Sequence, residues 1–286
     1  MKNSQRFLSA LVIIFCALNM NAQVTDVFGN KIPAKKKEVV PVPDNYNQTD
    51  AKGLKQGPWE KRYTNGAPLY KAIFKDDKPV GEYIRYYPNG KMSLRIIYDE
   101  SGLNGKAEMF NEAEELTSSG NFVGKNKDGK WIFYSSKDVI ASTEEYKNNK
   151  PHGETIIYYP GGQIAESYTS VNGMKHGPWL KFFKSGAPML KANYVNDKLE
   201  GSYLYYYESG QLEIEANYKN NLEDGKWTFF HQDGKVNYEL KYSKGTLLNP
   251  EVLDAIRAAE QADFEKNKGK IKDPEKMQNN PEGYYR

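Results

Sequence analysis

The sequence predicts an all-β fold, an elongated antiparallel β-hairpin repeat array of eight 24-residue units with a C-terminal capping helix. Three observations predict it. Aromatic residues recur at fixed places in the units, and a turn signal such as Asn65-Gly66 recurs between them. A glycine recurs every 24 residues, at Gly57, Gly81, Gly105, Gly129, Gly153, Gly177, Gly201 and Gly225. A fixed period of this length is the signature of a repeat protein, in which one small unit stacks on copies of itself.

Residues 1–22 have the pattern of a secretory signal peptide. Lys2 and Arg6 supply the positive start, and an apolar segment too short to span a bilayer comfortably follows. We expect cleavage after Ala22, which would place the protein beyond the inner membrane, in the periplasm or on the cell surface. An uncleaved anchor is the alternative. Lipidation of Cys16 is disfavoured because a bulky residue, Phe15, precedes it.

Residues 23–52 are expected to form a linker. They contain Pro33, Pro41 and Pro43, a run of three lysines at 35–37 and few large apolar residues. Such a composition favours an extended, solvated segment over a packed one.

Residues 53–248 form the predicted repeat domain. Counting from each glycine, the third, sixth and eighteenth residues are mostly aromatic, and all four tryptophans fall at the third place. Each unit therefore reads as a hairpin of two strands, giving sixteen strands in all. The positions predicted to carry the repeat structure are Gly57, Trp59, Gly81, Tyr83, Gly105, Gly129, Trp131, Gly153, Gly177, Trp179, Gly201, Tyr203, Gly225 and Trp227.

The second strand of a unit alternates cleanly between apolar and polar residues. Leu94, Ile96 and Tyr98 point one way, and Ser93 and Arg95 point the other. Equivalent rings of successive units are expected to stack into ladders. Removing one, for example by Trp179→Ala, is expected to cost about 3–5 kcal/mol, the usual loss for a buried aromatic residue. The repeat glycines are expected to lie in turns.

Two units depart from the pattern. The third, 105–128, is the weakest match, because it lacks the turn glycine and has Ala107 where tryptophan is expected. The fifth carries its second aromatic residue, Tyr168, two places early.

The pattern changes after the repeats. Residues 249–268 are predicted to be helical, with Asn249 as N-cap, Pro250 in the first turn and Gly269 as the stop. The last hairpin would otherwise expose a strand edge, so the helix is interpreted as its cover. A free docking helix is the alternative. Residues 269–286 form a polar tail.

No residues with catalytic, cofactor-binding or metal-binding chemistry are identified. His152 and His176 occupy equivalent places one unit apart, too far to share a zinc ion. Acidic pairs in the loops read as solvated turn residues: Asp76-Asp77, Asp99-Glu100 and Glu223-Asp224. The net charge of +3 becomes 3 − 2 = +1 after removal of the signal peptide, which argues against a nucleic-acid partner.

The unit Gly81-x-Tyr83-x-x-Tyr86-Tyr87-x-Asn89-Gly90, followed by Tyr98, resembles the MORN repeat. More closely it resembles the MORN-variant repeats of the YwqK-like antitoxin family, and the resemblance extends over all eight units. It implies an elongated antiparallel β array used for contacts with proteins or membrane surfaces.

The expected function is that of a non-catalytic secreted scaffold that binds another protein in the cell envelope, with an antitoxin-like role implied by the resemblance alone. The alternative is binding of a glycan, the cell wall or a membrane surface through aromatic ladders. A regular array does not bring unlike residues into one pocket, so an enzyme is not expected.

Overall fold

The computed structural model describes residues 42–268, and they confirm the all-β prediction. Predictions for residues 1–22, for the linker up to residue 41 and for the tail 269–286 lie outside the described residues. The elements are β1 (Gln48–Thr49), β2 (Lys55–Arg62), β3 (Pro68–Lys75), β4 (Lys78–Tyr86), β5 (Met92–Tyr98), β6 (Asn104–Phe110), β7 (Leu116–Val123), β8 (Asn126–Ser136), β9 (Val139–Lys147), β10 (Lys150–Tyr158), β11 (Ile164–Val171), β12 (Met174–Phe182), β13 (Pro188–Val195), β14 (Lys198–Leu199), β15 (Gly201–Tyr206), β16 (Leu212–Lys219), β17 (Leu222–Glu223), β18 (Gly225–Phe230), β19 (Val236–Ser243), β20 (Thr246–Leu247) and α1 (Pro250–Asn267).

All twenty strands belong to one open antiparallel sheet. Each long strand pairs with the long strand before it and the long strand after it in the chain, which makes the sheet a continuous meander. The short strands β14 and β17 are the first parts of β15 and β18, separated from them by a single residue. The sheet begins at β1, inside the segment predicted to be a linker, because Gln48 and Thr49 pair with β2.

One kind of turn joins the two strands in seven of the eight units; the fourth unit instead turns at Asp138, between the paired residues Ser136 and Val139. In the first unit Tyr63 donates its N–H to the carbonyl of Ala67 at 2.8 Å, and Gly66, with φ 82°, donates to the carbonyl of Tyr63 at 3.0 Å. The positive φ falls on glycine alone. Asn65 contributes differently, because its side-chain oxygen accepts the N–H of Ala67 at 3.0 Å.

A second kind of turn joins successive units. Its two central residues both have positive φ, the geometry that matches the twist of antiparallel strands. Gly fills some of these places because it has no Cβ, and Asn and Asp fill most of the others because their short polar side chains tolerate positive φ. Five junctions have such a pair: Asp76-Asp77, Asn148-Asn149, Asn172-Gly173, Asn196-Asp197 and Asn220-Asn221. Lys244-Gly245 forms the same pair after the eighth unit, whereas the junctions after the second and third units have a single positive φ, at Gly102 and Gly124.

The repeat glycines do not lie in turns, and the prediction that they do is wrong. Gly57 lies inside β2 and has φ 68°. Positive φ at this place goes with an irregular register, as between Tyr168 and Ser170 beside Gly177, where the strand bulges. In most units the 24-residue period therefore marks an irregularity in the first strand, where the glycine has positive φ.

Gly105 is the exception, because glycine is required there by close packing and not by a positive φ. Its backbone is extended, and a Cβ placed on it would lie 2.5 Å from Cγ2 of Ile96 and 3.1 Å from the ring of Tyr98. The pairing of β5 with β6 accordingly runs without a register shift.

The third unit, the weakest match to the repeat pattern, contributes to the buried core cluster of the sheet. Ala107 and Gly120 are opposite each other and leave a depression on the sheet surface. Trp131 lies in it and has no solvent exposure, with its ring so close to Gly120 that a Cβ added there would clash with it. Trp131, Ile96 and Ala107 form the buried core cluster.

Successive units are tied by tyrosine hydroxyl groups. The seventh residue of a unit, where it is tyrosine, donates to the backbone carbonyl of the sixth residue of the next unit. The four bonds join Tyr63 to Tyr86 at 2.8 Å, Tyr87 to Phe110 at 2.7 Å, Tyr159 to Phe182 at 2.8 Å and Tyr207 to Phe230 at 2.8 Å.

Asparagine side chains cover both outer edges of the sheet. On β2, the side-chain oxygen of Asn47 accepts the N–H of Glu60 at 3.0 Å. On β19, the Asn249 side chain accepts the N–H of Lys241 at 2.7 Å and donates to the carbonyl of Glu239 at 3.1 Å. Asn249 was predicted to be an N-cap, but its side chain makes no capping bond to the helix because it is used at this edge.

The helix α1 begins at Pro250, as predicted, and contacts β19. Val252, Leu253 and Ile256 are half-buried, whereas Phe264 is 52% exposed. The cover that the helix provides is therefore limited to its first two turns.

Candidate functional site

The sheet has two faces of different character. One face, which we call the ring face, carries a central row of residues, one from each long strand. Successive residues of the row lie opposite each other on neighbouring strands, either as residues paired in the register or as its direct continuation. The row is Trp59, Ala72, Tyr83, Ile96, Ala107, Gly120, Trp131, Glu144, Thr155, Tyr168, Trp179, Ala192, Tyr203, Ala216, Trp227 and Leu240.

The predicted third-position and eighteenth-position rings meet on the ring face. Trp227 lies 5.4 Å from Tyr242 between ring centroids, 5.3 Å from Tyr218 and 6.4 Å from Tyr203. The sixth-position rings do not join them. The ammonium group of Lys191, which points to the other face, lies 5.5 Å above the ring of Tyr206. Two sets of rings thus lie on opposite faces.

Most of the rings are only half-buried. Trp131 is the one large side chain of residues 42–268 with less than 2% exposure, whereas Trp59, Trp179 and Trp227 are intermediate. The expected loss of about 3–5 kcal/mol for Trp179→Ala assumes a fully buried ring. Because Trp179 is only half-buried, that value is too large.

Lysines lie over the rings of three tryptophans. Each stands two residues before the repeat glycine. The ammonium groups of Lys55, Lys127 and Lys175 are 4.7, 4.4 and 5.9 Å from the ring centroids of Trp59, Trp131 and Trp179. Such contacts favour the cation and also cover the ring from solvent. Burial lowers the pKa of Lys127, and the nearby carboxylate of Glu144 opposes this shift.

The middle of the central row is polar. At both ends of the row rings alternate with Ala, Ile or Leu, but between Trp131 and Tyr168 stand Glu144 and Thr155. Glu144 accepts the hydroxyl of Tyr146 at 2.6 Å and that of Ser142 at 3.3 Å. Burial, with this hydrogen bond and the carboxylate charge, raises the pKa of Tyr146.

A second carboxylate lies nearby on β11. Glu166 accepts the indole N–H of Trp179 at 2.7 Å and lies 3.8 Å from the ammonium group of Lys181. The pKa of Tyr168 is raised by burial first and then by Glu144 and Glu166, so both carboxylates act on this one hydroxyl group. The Thr155 hydroxyl bond to Tyr168 opposes the shift.

The opposite face carries a band of exposed aliphatic side chains, which we call the aliphatic band. Its members lie near the turns that join units, on the strand positions that alternate away from the ring face. Each is between 38% and 48% exposed. They are Ile73, Ile97, Val123, Val171, Met174, Val195 and Leu222.

A groove of about 560 Å³ crosses this band between β5 and β8. Ile97 and Val123 line it together with Asp99 and Asn104. The Asp99 carboxylate accepts hydrogen bonds from Ser101 at 2.6 Å and Asn104 at 2.7 Å, and these bonds lower its pKa to about 2. The Asp99 side chain is therefore oriented by hydrogen bonds and ionised at neutral pH, and Lys106 and Asp128 line the same groove.

Sequence reasoning missed the aliphatic band and the cross-unit tyrosines. Both signals exist in the repeat: the aliphatic residues of the band stand at the seventeenth, nineteenth and twenty-second places, and tyrosine recurs at the seventh. Neither is visible as a site until the strand register assigns those places to a face.

The structure gives no sign of a metal site or a membrane span in the residues that it describes. No group of three or more His, Cys, Asp or Glu side chains is placed to hold a metal ion within residues 42–268. His152 and His176 each lie beside a turn between units. The Nδ1 atom of His152 is 3.4 Å from the backbone N of Asn172, and that of His176 is 3.4 Å from the side-chain oxygen of Asn196. Over the same residues, no helix is long and apolar enough to cross a bilayer.

Comparison with known proteins identifies the repeat type. A family model described as MORN repeat variant matches four segments, residues 79–100, 151–172, 199–220 and 223–244. Each match begins two residues before a repeat glycine, and the expectation of MORN-variant repeats is confirmed in these segments. No curated protein matches the chain.

Among solved structures, one similar chain is a mutant of S. aureus TarM in complex with fondaparinux, alpha-GlcNAc-glycerol and UDP. The likeness covers 42% of this chain and 21% of that chain, with 11% identity and a TM-score of 0.22. This chain thus spans about a fifth of that protein, and so weak a likeness carries no argument.

Proposed function

We propose that this protein is a non-catalytic, secreted repeat scaffold that binds another protein in the cell envelope, and that the aliphatic band is the surface it uses. MORN-variant repeats suggest a scaffold for binding.

The observation that carries the proposal is the alignment of the aliphatic band on one face. Scattered exposed aliphatic residues are normal on a protein surface, but a row of them on one face marks an interaction site. Val171 and Met174 are direct cross-strand partners, so the band includes contiguous apolar surface. A sheet with twisted, hydrogen-bonded strands presents this surface with little loss of conformational freedom on binding.

The charge around the band favours a protein partner over a lipid surface. Turn residues beside it carry both signs, as in Lys75 followed by Asp76 and Asp77. A membrane surface with anionic lipid attracts clusters of lysine and arginine, and a mature net charge of 3 − 2 = +1 supplies little attraction.

A glycan-binding ladder along all the rings is the weaker alternative. Lysines lie over Trp59, Trp131 and Trp179, and neighbouring rings pack against each other edge to face. A ligand that stacked along the whole row would have to displace the lysines from these three rings.

Secretion is supported by the pattern of residues 1–22, and an antitoxin-like role only by the resemblance of the repeats. Fractionation of cells that express the full chain tests the first. Recovery in the cytoplasm at full length would contradict it. An antitoxin-like role requires that the captured partner be toxic and that co-expression relieve the toxicity.

The binding surface is tested by charge substitution in the band. We expect V195E/L222E to abolish capture of a partner that unaltered protein recovers reproducibly from envelope extract, because an interfacial carboxylate would be desolvated without a partner. The matched control is I140E/V236E, which alters two exposed aliphatic residues outside the band. Equal capture by both variants, or no reproducible partner for the unaltered protein, would overturn the proposal.

A further inference from the structure

We propose that the middle of the ring face is a saccharide-binding site, built around Glu144, Glu166 and Tyr168, for a neutral oligosaccharide of pyranose units. This site lies on the face opposite to the aliphatic band. It is a local site at the polar break of the central row and does not use the rings at the ends of the row.

The fifth unit opens this site by departing from the repeat. On its second strand the aromatic residue is Tyr168, which stands in the central row. Small hydroxyl residues take the usual ring places, Thr155 at the third and Ser170 at the eighteenth. Thr155 is 3% exposed and Ser170 is 4% exposed. A ring at the centre with a buried hydroxyl floor beside it replaces the continuous packing found elsewhere.

The two carboxylates retain free acceptor capacity. A carboxylate accepts about four hydrogen bonds. Glu144 receives one from Tyr146 and one from Ser142, and Glu166 receives one from Trp179. Both side chains are held in place by these bonds, so their remaining lone pairs are oriented before a ligand arrives.

Two lysines border the site with unused donors. Lys175 lies 4.2 Å from the ring centroid of Tyr168 and 5.3 Å from that of Tyr194, and Lys127 lies 5.0 Å from that of Tyr146. No carboxylate of residues 42–268 lies within 4.0 Å of either ammonium group. Each ammonium group therefore rests on rings and can turn its N–H groups toward a ligand.

The mixture of charges selects the class of ligand. An anion bound in this site, such as phosphate, would be repelled by the carboxylates of Glu144 and Glu166. A cation would be repelled by the ammonium groups of Lys127 and Lys175. Neutral hydroxyl groups both donate and accept, and they satisfy carboxylates and ammonium groups together. The C–H face of a pyranose packs on an aromatic ring such as Tyr168, which supplies apolar contact beside the polar groups.

The test is calorimetric titration of the full chain with three soluble probes: the hexasaccharides of β-1,4-linked glucose, α-1,4-linked glucose and β-1,4-linked N-acetylglucosamine. We expect saturable binding of at least one probe. We expect E144Q/E166Q to weaken it by about tenfold or more, because hydrogen bonds to a charged acceptor are lost. Glutamine keeps the shape of glutamate, and the melting temperature of the variant reports whether its fold is kept.

The matched control is E215Q/E239Q, two glutamates of the opposite face, which should bind as the unaltered chain does. Hydrogen exchange of the unaltered protein gives an independent readout if the double variant unfolds. Added saccharide should slow exchange in β9 and β11 but not in β16 and β18. The proposal is overturned if no probe gives saturable heat at millimolar concentration, if E144Q/E166Q binds normally, or if protection falls elsewhere. None of these outcomes depends on the aliphatic band.

Discussion

Trp131 shows how one side chain can depend on two very small neighbours. Its ring is buried because Ala107 and Gly120 leave room for it on the sheet surface. Trp179, which has Tyr168 in place of a glycine on the preceding strand, remains half-exposed. The burial of a ring in this sheet is therefore set by the residues on the adjacent strands.

We predict that Trp131→Ala lowers the free energy of unfolding by about 3–5 kcal/mol, the loss that follows removal of a fully buried ring. Trp179→Ala should lower it by about 1–2 kcal/mol, because less apolar surface returns to water. Denaturant unfolding of both variants measures the difference. Equal losses would show that burial in the sheet does not decide the contribution of a ring.

Sequence reasoning reached the type of repeat at this scale but not the burial of individual rings. The 24-residue period and the aromatic places are visible in the sequence, and they are enough to predict hairpins. Whether Trp131 or Trp179 is buried depends on the register between strands. Ala107 looks like a defect in the sequence and becomes the floor of the core only after β6 and β8 are placed.

The hairpin is the repeating unit of the structure, and neighbouring hairpins are joined by side-chain hydrogen bonds as well as by backbone pairing. Backbone pairing joins neighbouring strands in any sheet. Here tyrosine hydroxyls add a side-chain bond from one unit to the next, at the same place in four units. Sequence patterns could not predict these bonds, because donor and acceptor meet only after the turns set the spacing of the units.

We predict that Y63F, Y87F, Y159F and Y207F each lower the free energy of unfolding by about 1 kcal/mol, the typical net value of one hydrogen bond. Phenylalanine keeps the ring and removes only the donor. Y134F is the control, since Tyr134 stands at the sixth place and belongs to the other set of rings. Losses no larger than that of the control in thermal and denaturant unfolding would contradict the role assigned to the hydroxyls.

At the scale of the whole sheet, the edges decide whether an open meander stays separate from its copies. An uncovered edge strand presents unpaired N–H and C=O groups to any similar strand. The side chains of Asn47 and Asn249 form hydrogen bonds with some of these backbone groups. Pro58 adds to this on β2, because proline has no N–H to offer at an edge.

We predict that N47A/N249A associates more strongly than the unaltered chain, since it frees the N–H of Glu60 and of Lys241 for pairing between molecules. Sedimentation velocity over a range of concentrations measures this. N237A is the matched control, an exposed asparagine on the same edge strand. If N47A/N249A and N237A sediment alike at all concentrations, the asparagines do not protect the edges.

The order of strands along the chain has a consequence for how the protein is made. Each long strand finds its partners immediately before and after it, so the chain need never wait for a distant segment to be synthesised or delivered. Local contacts of this kind favour rapid folding. A polypeptide threaded through a narrow channel could therefore assemble hairpin by hairpin on the far side as it emerges, each finished ribbon serving as the template for the next.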